Sequence, residues 1–287
     1  MKFKGVCVDV DKAHTMKQQL CKQEEQLMYK VKEETGIDVQ IWAARSIAKA
    51  FDKLSLEYST TEKTGAPSFT KNFLSNHKHP MVKNIAKARE INKAHTTFID
   101  TILKHQHKGR IHADINPIRS DQGGTVTGRF SYSNPNLQQI PARNKELGPM
   151  IRSLFIPEKD HKWGCFDYSQ QEPRLVVHYA ATTEPICFDD SVGNIVNKFK
   201  DNSVDFHQTV ADMANISRTQ AKTINLGLFY GMGKAKLQAE LGLNTKQEAE
   251  NLFNQYHQNV PFVRDLMGHT SKTAQSSGSI GTLLGRR

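Results

Sequence analysis

A chain of 287 residues has length for roughly two domains or one elaborate domain, and enough to bury a sizeable core. Lysine and arginine outnumber aspartate and glutamate by 39 to 29, a net charge of +10, which suits a polyanionic partner, nucleic acid before membrane. No apolar run approaches the ~20 residues of a membrane helix, and the N-terminus has too short an apolar segment for a signal peptide. Cys7, Cys21, Cys165 and Cys187 form no C-x-x-C pair, so reduced thiols in a cytoplasmic compartment are expected.

In chain order, residues 12–35 place Met16, Leu20, Leu27, Met28 and Val31 at helical spacing, and Gly36 is a natural terminator. A second helix is predicted over 38–54, and a loop over "TEKTGAPSFT" (61–70). A long basic helix over 81–105 carries Lys83, Lys87, Arg89, Lys93 and Lys104, with Ile85, Ile91, Phe98, Ile99 and Leu103 as its inner stripe. From Gly109, "GRIHADINPI" reads as a strand, and residues 121–143, rich in Gly, Ser, Asn and Pro, as mostly loop. "KWGCFD" reads as a short buried strand ending at Asp167, before a helix with Pro173 in its first turn and Leu175, Val176 and Tyr179 on its buried face. From about Val204 the pattern is helical, and "GSIGTLLGRR" (278–287) reads as the start of another strand. Helices, then strands and loops, then helices again make an α+β arrangement.

Asp167, with Glu172 five residues on, poses the first chemical question. A carboxylate projecting from a strand end could hold a hard cation such as Mg²⁺, or it could simply cap the following helix. Arg218, Lys222, Leu226 and Tyr230 recur every four residues. On a helix they form one stripe, which could face a triphosphate and a base, or be a solvated basic face beside an ordinary core. Gly227 inside that helix costs ~1 kcal/mol and implies close approach by some other group. "GMGK" lacks the glycine of a phosphate loop, since Leu228 stands there, and Lys236 breaks a dinucleotide fingerprint. "HKH" (77–79) and "HQH" (105–107) lack supporting metal ligands.

Three stretches together resemble the family A DNA polymerases, the group of the bacterial repair polymerase and the short-tailed phage replicases. They are "TVTGRFSYSNPNLQQIPAR" (125–143), "DYSQQEPR" (167–174) and "RTQAKTINLGLFYG" (218–231), in the family's order and spacing. The resemblance implies a right-hand architecture: a helical thumb over 1–106, an antiparallel-sheet palm over 107–190, to which 278–287 begin to return, and helical fingers over 191–277. It implies primer–template DNA and dNTPs as partners, with no membrane, and two Mg²⁺ ions held by Asp167 and the main-chain carbonyl of Tyr168. By the same matching, Glu172 crowds the sugar C2′ and excludes ribonucleotides. Arg218 and Lys222 grip the triphosphate, with Lys222 as general acid, and His207 lies near the β-phosphate. Leu226 touches the sugar, Tyr230 flanks the template base, and Tyr168, Ser169 and Gln170 line the site. Arg129, Gln138, Gln139, Arg143 and Arg174 contact primer–template or brace the site.

Leu226 stands where the family usually has Phe or Tyr, Pro173 where it has leucine, and Gln171 where it has an aliphatic residue. The family's second metal-binding aspartate, on a His-Asp-Glu hairpin, has no counterpart before Arg287. The expectation is therefore that activity needs a further C-terminal segment, in the same chain or in a second polypeptide. Two rivals are a primer–template or single-strand binding module without chemistry and a single-subunit RNA polymerase; Glu172 and "TGRFSYSNPNLQQIP" argue against the latter.

Overall fold

The computed structural model describes residues 2–121, 123–142, 144–201, 205–214 and 216–286. The chain forms two compact units, Met1–Gly164 and Cys165–Arg287.

In the first unit, α1 (Val10–Thr35) opens on Asp9, whose Oδ1 accepts from Lys12 N at 2.9 Å, and closes on Gly36 at φ 71°. A left-handed residue there needs glycine's freedom, and its N–H satisfies the carbonyl of Lys32. α1 packs along α4 (Pro80–Lys93), while α2 (Ala44–Lys53) and α3 (Lys71–Asn76) fill in beside them. The helix predicted from residue 38 starts later because Val39 and Ile41 are buried while Gln40 and Trp42 are exposed. That alternation does not fit a helix face, and the stretch runs irregularly into a turn closed by Ala43 N to Gln40 O at 3.0 Å. The loop at 61–70 is a small hairpin, with β2 (Ser59–Thr60) antiparallel to β3 (Pro67–Ser68). "HKH" serves α4: His79 Nδ1 accepts from Met81 N, and His77 Nδ1 accepts from His79 N.

The long basic helix forms as α4, a π-helical stretch (Ala94–Ile99) and α5 (Asp100–His105). Ile85, Ile91 and Ile99 are buried as expected, but Ile102 is buried where Leu103 was expected, and Phe98 is only partly buried. A π turn inserts an extra residue per turn and rotates the face that follows. Two cores result. One gathers Val31, Ile47, Phe51, Phe69, Leu74, Met81 and Ile85; the other gathers Met16, Leu20, Ile91, Ile99, Ile102, Ile111 and Ile151. Fully burying a side chain such as Phe51 contributes about 1.5–3 kcal/mol.

"GRIHADINPI" splits into β5 (Arg110–Ile111) and β6 (Asp114–Asn116). β5 lies between β1 (Val6–Cys7) and β4 (Gln106–His107), and β6 pairs with β7 (Ser131–Ser133). All pairings are antiparallel. α6 (Leu147–Arg152) closes the core of Met16, Leu20 and Ile91.

The second unit is helical: α7 (Gln171–Thr182), α8 (Asp190–Lys200), α9 (Phe206–Ala214), α10 (Arg218–Phe229), α11 (Lys234–Leu241), α12 (Lys246–Asn259) and α13 (Pro261–Ser277). One core, including Val177, Ala180, Phe199, Phe206, Ile224, Leu228, Tyr256 and Phe262, joins them. The whole is α+β, as expected.

Three further expectations need correction. "KWGCFD" forms no strand; residues 161–169 are exposed, with Phe166 97% accessible, because no strand among the described residues pairs with them. Residues 278–286 form a turn rather than a strand, closed by Thr282 N to Arg286 O at 2.7 Å and held by Leu283 N to Tyr179 Oη at 2.6 Å. The buried face of α7 is Pro173, Val177 and Ala180, whereas Leu175 is exposed and Val176 and Tyr179 are partly buried. Spacings of four and three keep those three residues on one face, with Pro173 setting its phase. Among the described residues, no helix is long and apolar enough to cross a membrane.

Candidate active site

α10 owes its start to a capping box. Ser217 Oγ accepts from Gln220 N at 3.2 Å, and Gln220 Oε1 accepts from Ser217 N at 3.1 Å. Ala221, Ile224, Asn225 and Leu228 are buried. The opposite face carries Arg218 and Lys222, both exposed, then partly buried Leu226, and Tyr230 at the C-cap, 67% exposed. The four-residue spacing thus produces one accessible stripe, cationic at the N-terminal end and aromatic at the other. Gly227 admits Met232, not a ligand: a Cβ there would lie 2.3 Å from Met232 Cε. The chain doubles back through Gly231, and Met232 N donates to Gly227 O at 2.9 Å.

The start of α7 meets the aromatic end of this stripe and the first turn of α9. Tyr230 Oη donates to Glu172 Oε1 at 2.9 Å. Gln170 sits before α7 at φ 54°, ψ 40°, a left-handed conformation costing ~1–2 kcal/mol for a residue with a side chain. Its Oε1 accepts from Phe206 N at 2.7 Å, so the side chain serves the first turn of α9. Arg174 is folded inward, donating from Nε to Ser169 O at 3.2 Å with its guanidinium 4.9 Å from the centre of the Phe199 ring.

Two further residues organise the cations. Asp205 caps α9, its Oδ1 accepting from His207 N at 3.0 Å and Gln208 N at 3.1 Å, while Oδ2 accepts from Arg218 Nε at 2.6 Å. Burial opposes its charge, but the bonds from Arg218, Gln208 and His207 outweigh burial and hold its carboxyl below the usual carboxylate range. His207 is 5% exposed, and Asn225 Nδ2 lies 3.0 Å from its Nδ1. Burial first, then the charges of Arg218 and Lys222, push its pKa down, against the opposing influence of Asp205 and Glu172. Asp205 and Asn225 were not singled out in the sequence. An aspartate just before a helix was a legible capping signal, and a lone amide inside "TINLGLF" was a legible buried polar group.

Hydrogen bonds therefore join Glu172 to Tyr230, Gln170 to the first turn of α9, and Arg218 to His207 through Asp205. Lys222 stands on the same stripe with no ion pair among the described residues. Asp167, Tyr168 and Ser169 precede α7 on exposed backbone. Asp167 makes no hydrogen bond to the described residues and does not cap α7, which begins four residues later. Its carboxylate and the Tyr168 carbonyl are hard oxygen donors of the kind Mg²⁺ prefers, but they are fewer than the ion requires. No group of three or more His, Cys, Asp or Glu able to hold a metal occurs among the described residues. In the first unit, Arg129, Gln138 and Gln139 are exposed; Gln138 Nε2 donates to Phe130 O at 2.9 Å, and Arg129 O accepts from Thr125 Oγ1 at 2.7 Å. Arg143 lies outside the described residues.

The sequence model of DNA polymerase family A matches residues 10–287. The chain belongs to DNA polymerase family A. A DNA-directed DNA polymerase of Pseudomonas phage M6 is 31% identical over 334 aligned residues, covering 100% of this chain and 50% of the relative. The thermostable DNA polymerase I of Thermus filiformis is 33% identical over 301 residues, covering 100% of this chain and 34% of its own length. Among solved structures, the polymerase domain of Pol1 from M. smegmatis, in complex with DNA primer-template and dNTP, superposes with a TM-score of 0.79 at 25% identity. That match covers 99% of this chain and 49% of the other. This family A chain thus spans half, or less, of the length of these relatives.

Proposed function

We propose that this chain is the part of a template-directed DNA polymerase that receives the incoming deoxynucleotide and supports its addition to a primer 3′ end. The observation that carries the reading is the accessible stripe of α10, Arg218–Lys222–Leu226–Tyr230, with Glu172 bonded to its aromatic end. Its chemistry runs in the order of a nucleotide: cations for a triphosphate, an apolar side chain for a sugar, and a ring for a base. Family membership and the primer-template and dNTP in the Pol1 complex support the same assignment.

In this reading Arg218 and Lys222 neutralise the triphosphate, and Lys222 gives a proton to the departing pyrophosphate. Arg218 exchanges part of its bond to Asp205 for phosphate. His207 donates to a phosphate oxygen. Glu172, held by Tyr230, walls off the space beside C2′, where a ribose hydroxyl would sit, and Leu226 packs on the sugar. Gln170, Ser169 and Tyr168 line the approach. Asp167 and the Tyr168 carbonyl would hold Mg²⁺, which when bound lowers the pKa of the primer hydroxyl and neutralises the transferring phosphate. Two ions need a second carboxylate, which in this reading comes from beyond these 287 residues, on the same chain or a second polypeptide. Arg129, Gln138, Gln139 and Arg143 are assigned to primer–template, and Arg174 to bracing. The thumb, palm and fingers are assigned to 1–106, 107–190 with 278–287, and 191–277. The phage and bacterial relatives support action in a bacterial cytoplasm.

Primer extension with Mg²⁺ and dNTPs, with binding of primer–template and dNTP followed in parallel, tests this reading. Extension lost in Asp167→Ala supports it in full. Binding without extension supports the substrate-binding part and directs the search to the second carboxylate. A chain that binds neither sinks it.

A further inference from the structure

We propose that Asn225 is a positioning residue, which fixes His207 as the neutral tautomer protonated on Nε2 and so presents an N–H donor to the triphosphate. The proposal rests on the nucleotide-binding reading given above, and it concerns a residue to which that reading gives no role.

The geometry sets the assignment. Asn225 is completely buried within α10, and its Nδ2 lies 3.0 Å from His207 Nδ1. An amide nitrogen can only donate, so Nδ1 must offer its lone pair. A neutral imidazole that accepts at Nδ1 carries its proton on Nε2. The ring stays neutral because burial disfavours the imidazolium, and the charges of Arg218 and Lys222 act the same way. Asp205 and Glu172 act in the opposite sense, and Asp205 also anchors the base of the side chain through His207 N. His207 is thus held at two points, its backbone N–H by Asp205 and its ring by Asn225.

The second observation is the cost that Asn225 carries. Its Oδ1 is buried with no hydrogen-bond partner among the described residues. A leucine at this position would fill similar space beside Ile224 and Leu228 without an unpaired oxygen. An amide kept there at that cost is explained by the one bond it makes. Exchanging the amide O and N would reverse the result: Nδ1 would carry the proton and Nε2 would become an acceptor, unable to serve a phosphate oxygen.

The test is long-range ¹H–¹⁵N NMR of the histidine rings in the full chain, with His207 identified by its loss in His207→Gln. The expected result is an Nε2–H ring in the unsubstituted protein. In Asn225→Asp, which keeps the shape but replaces the donor by an acceptor, the proton should move to Nδ1 or the ring should become doubly protonated and titrate at higher pH. In the same variant, dATP binding should weaken on the order of tenfold. A proton on Nδ1 of His207 in the unsubstituted protein overturns the proposal, and this readout does not need Asn225→Asp to fold. An Asn225→Asp ring that keeps its Nε2–H pattern and full dATP affinity overturns it as well. Failure of the unsubstituted protein to bind dATP would sink the nucleotide reading instead, and leaves the tautomer result legible on its own.

Discussion

The stripe on α10 and the segment carrying Asp167 belong to the same proposed site but are built by opposite means. α10 is self-sufficient: a capping box starts it, a buried stripe docks it, and Asp205, Glu172 and Asn225 hold its outward or adjoining groups in place. The Asp167 segment has none of this. Its apolar residues are exposed, and no ladder partner among the described residues stiffens it. Helical sites are specified within one turn of sequence, whereas a strand's side chains are placed only by its neighbours. In the proposed site the nucleotide-binding stripe is therefore preorganised by the described residues, whereas the segment assigned to the metal is not.

Substitutions can break this comparison, and the largest effect is expected on the loosely held side. Asp167→Ala, in a polymerase carrying this sequence, should lower Mg²⁺-dependent extension on the order of a thousandfold. Because Asp167 is exposed and makes no hydrogen bond among the described residues, the melting temperature should not move; a shared loss of stability would assign it a structural role instead. Lys222→Ala should reduce single-turnover incorporation about a hundredfold, again without a stability change, since Lys222 has no ion pair among the described residues. Glu172→Ala should raise ribonucleotide incorporation, scored by competition between dNTP and rNTP. Tyr230→Phe, which removes only the hydroxyl on Glu172, should move the same ratio less, by a bond worth about 0.5–1.5 kcal/mol. An unchanged sugar preference in both would remove Glu172 from its assigned role.

The smallest effects fall on the scaffold of α9 and α10. Asp205→Ala should destabilise the chain by about 1–2 kcal/mol through the lost helix cap, read by urea melts. The folded carboxyl titrates below its unfolded value of about 3.9. Its contribution is therefore complete above that value and lost as pH falls through the folded pKa. The melts of the protein and of Asp205→Ala should converge only in acid; convergence near neutral pH would contradict the assignment. Gly227→Ala should cost about 1 kcal/mol net, because the new methyl meets Met232. Combining it with Met232→Ala should relieve the clash and leave alanine's better helix propensity.

Much of this was legible in the sequence where the physics is local. The α+β order, the termination of α1 at Gly36, the four-residue stripe and Pro173 in the first turn of α7 all follow from propensity and periodicity. The misses are non-local or fall at irregular points. "KWGCFD" and "GSIGTLLGRR" have strand-like composition without a partner. The π turn at Ala94–Ile99 shifted a stripe that a uniform helix would have kept. Gly227 was read as a sign of close approach, which is correct, but the approaching group is Met232. Asp205 and Asn225 escaped notice because their importance lies in what they hold, Arg218 and His207, across a chain separation that periodicity does not reveal.

The most direct test of the account is calorimetric titration of dATP with Mg²⁺ into the full chain and into Arg218→Ala and Lys222→Ala. If the stripe on α10 receives the triphosphate, the unsubstituted chain binds dATP and each variant loses on the order of tenfold in affinity, more at low ionic strength than at high. Equal affinity in all three proteins would contradict the claim and place nucleotide recognition elsewhere.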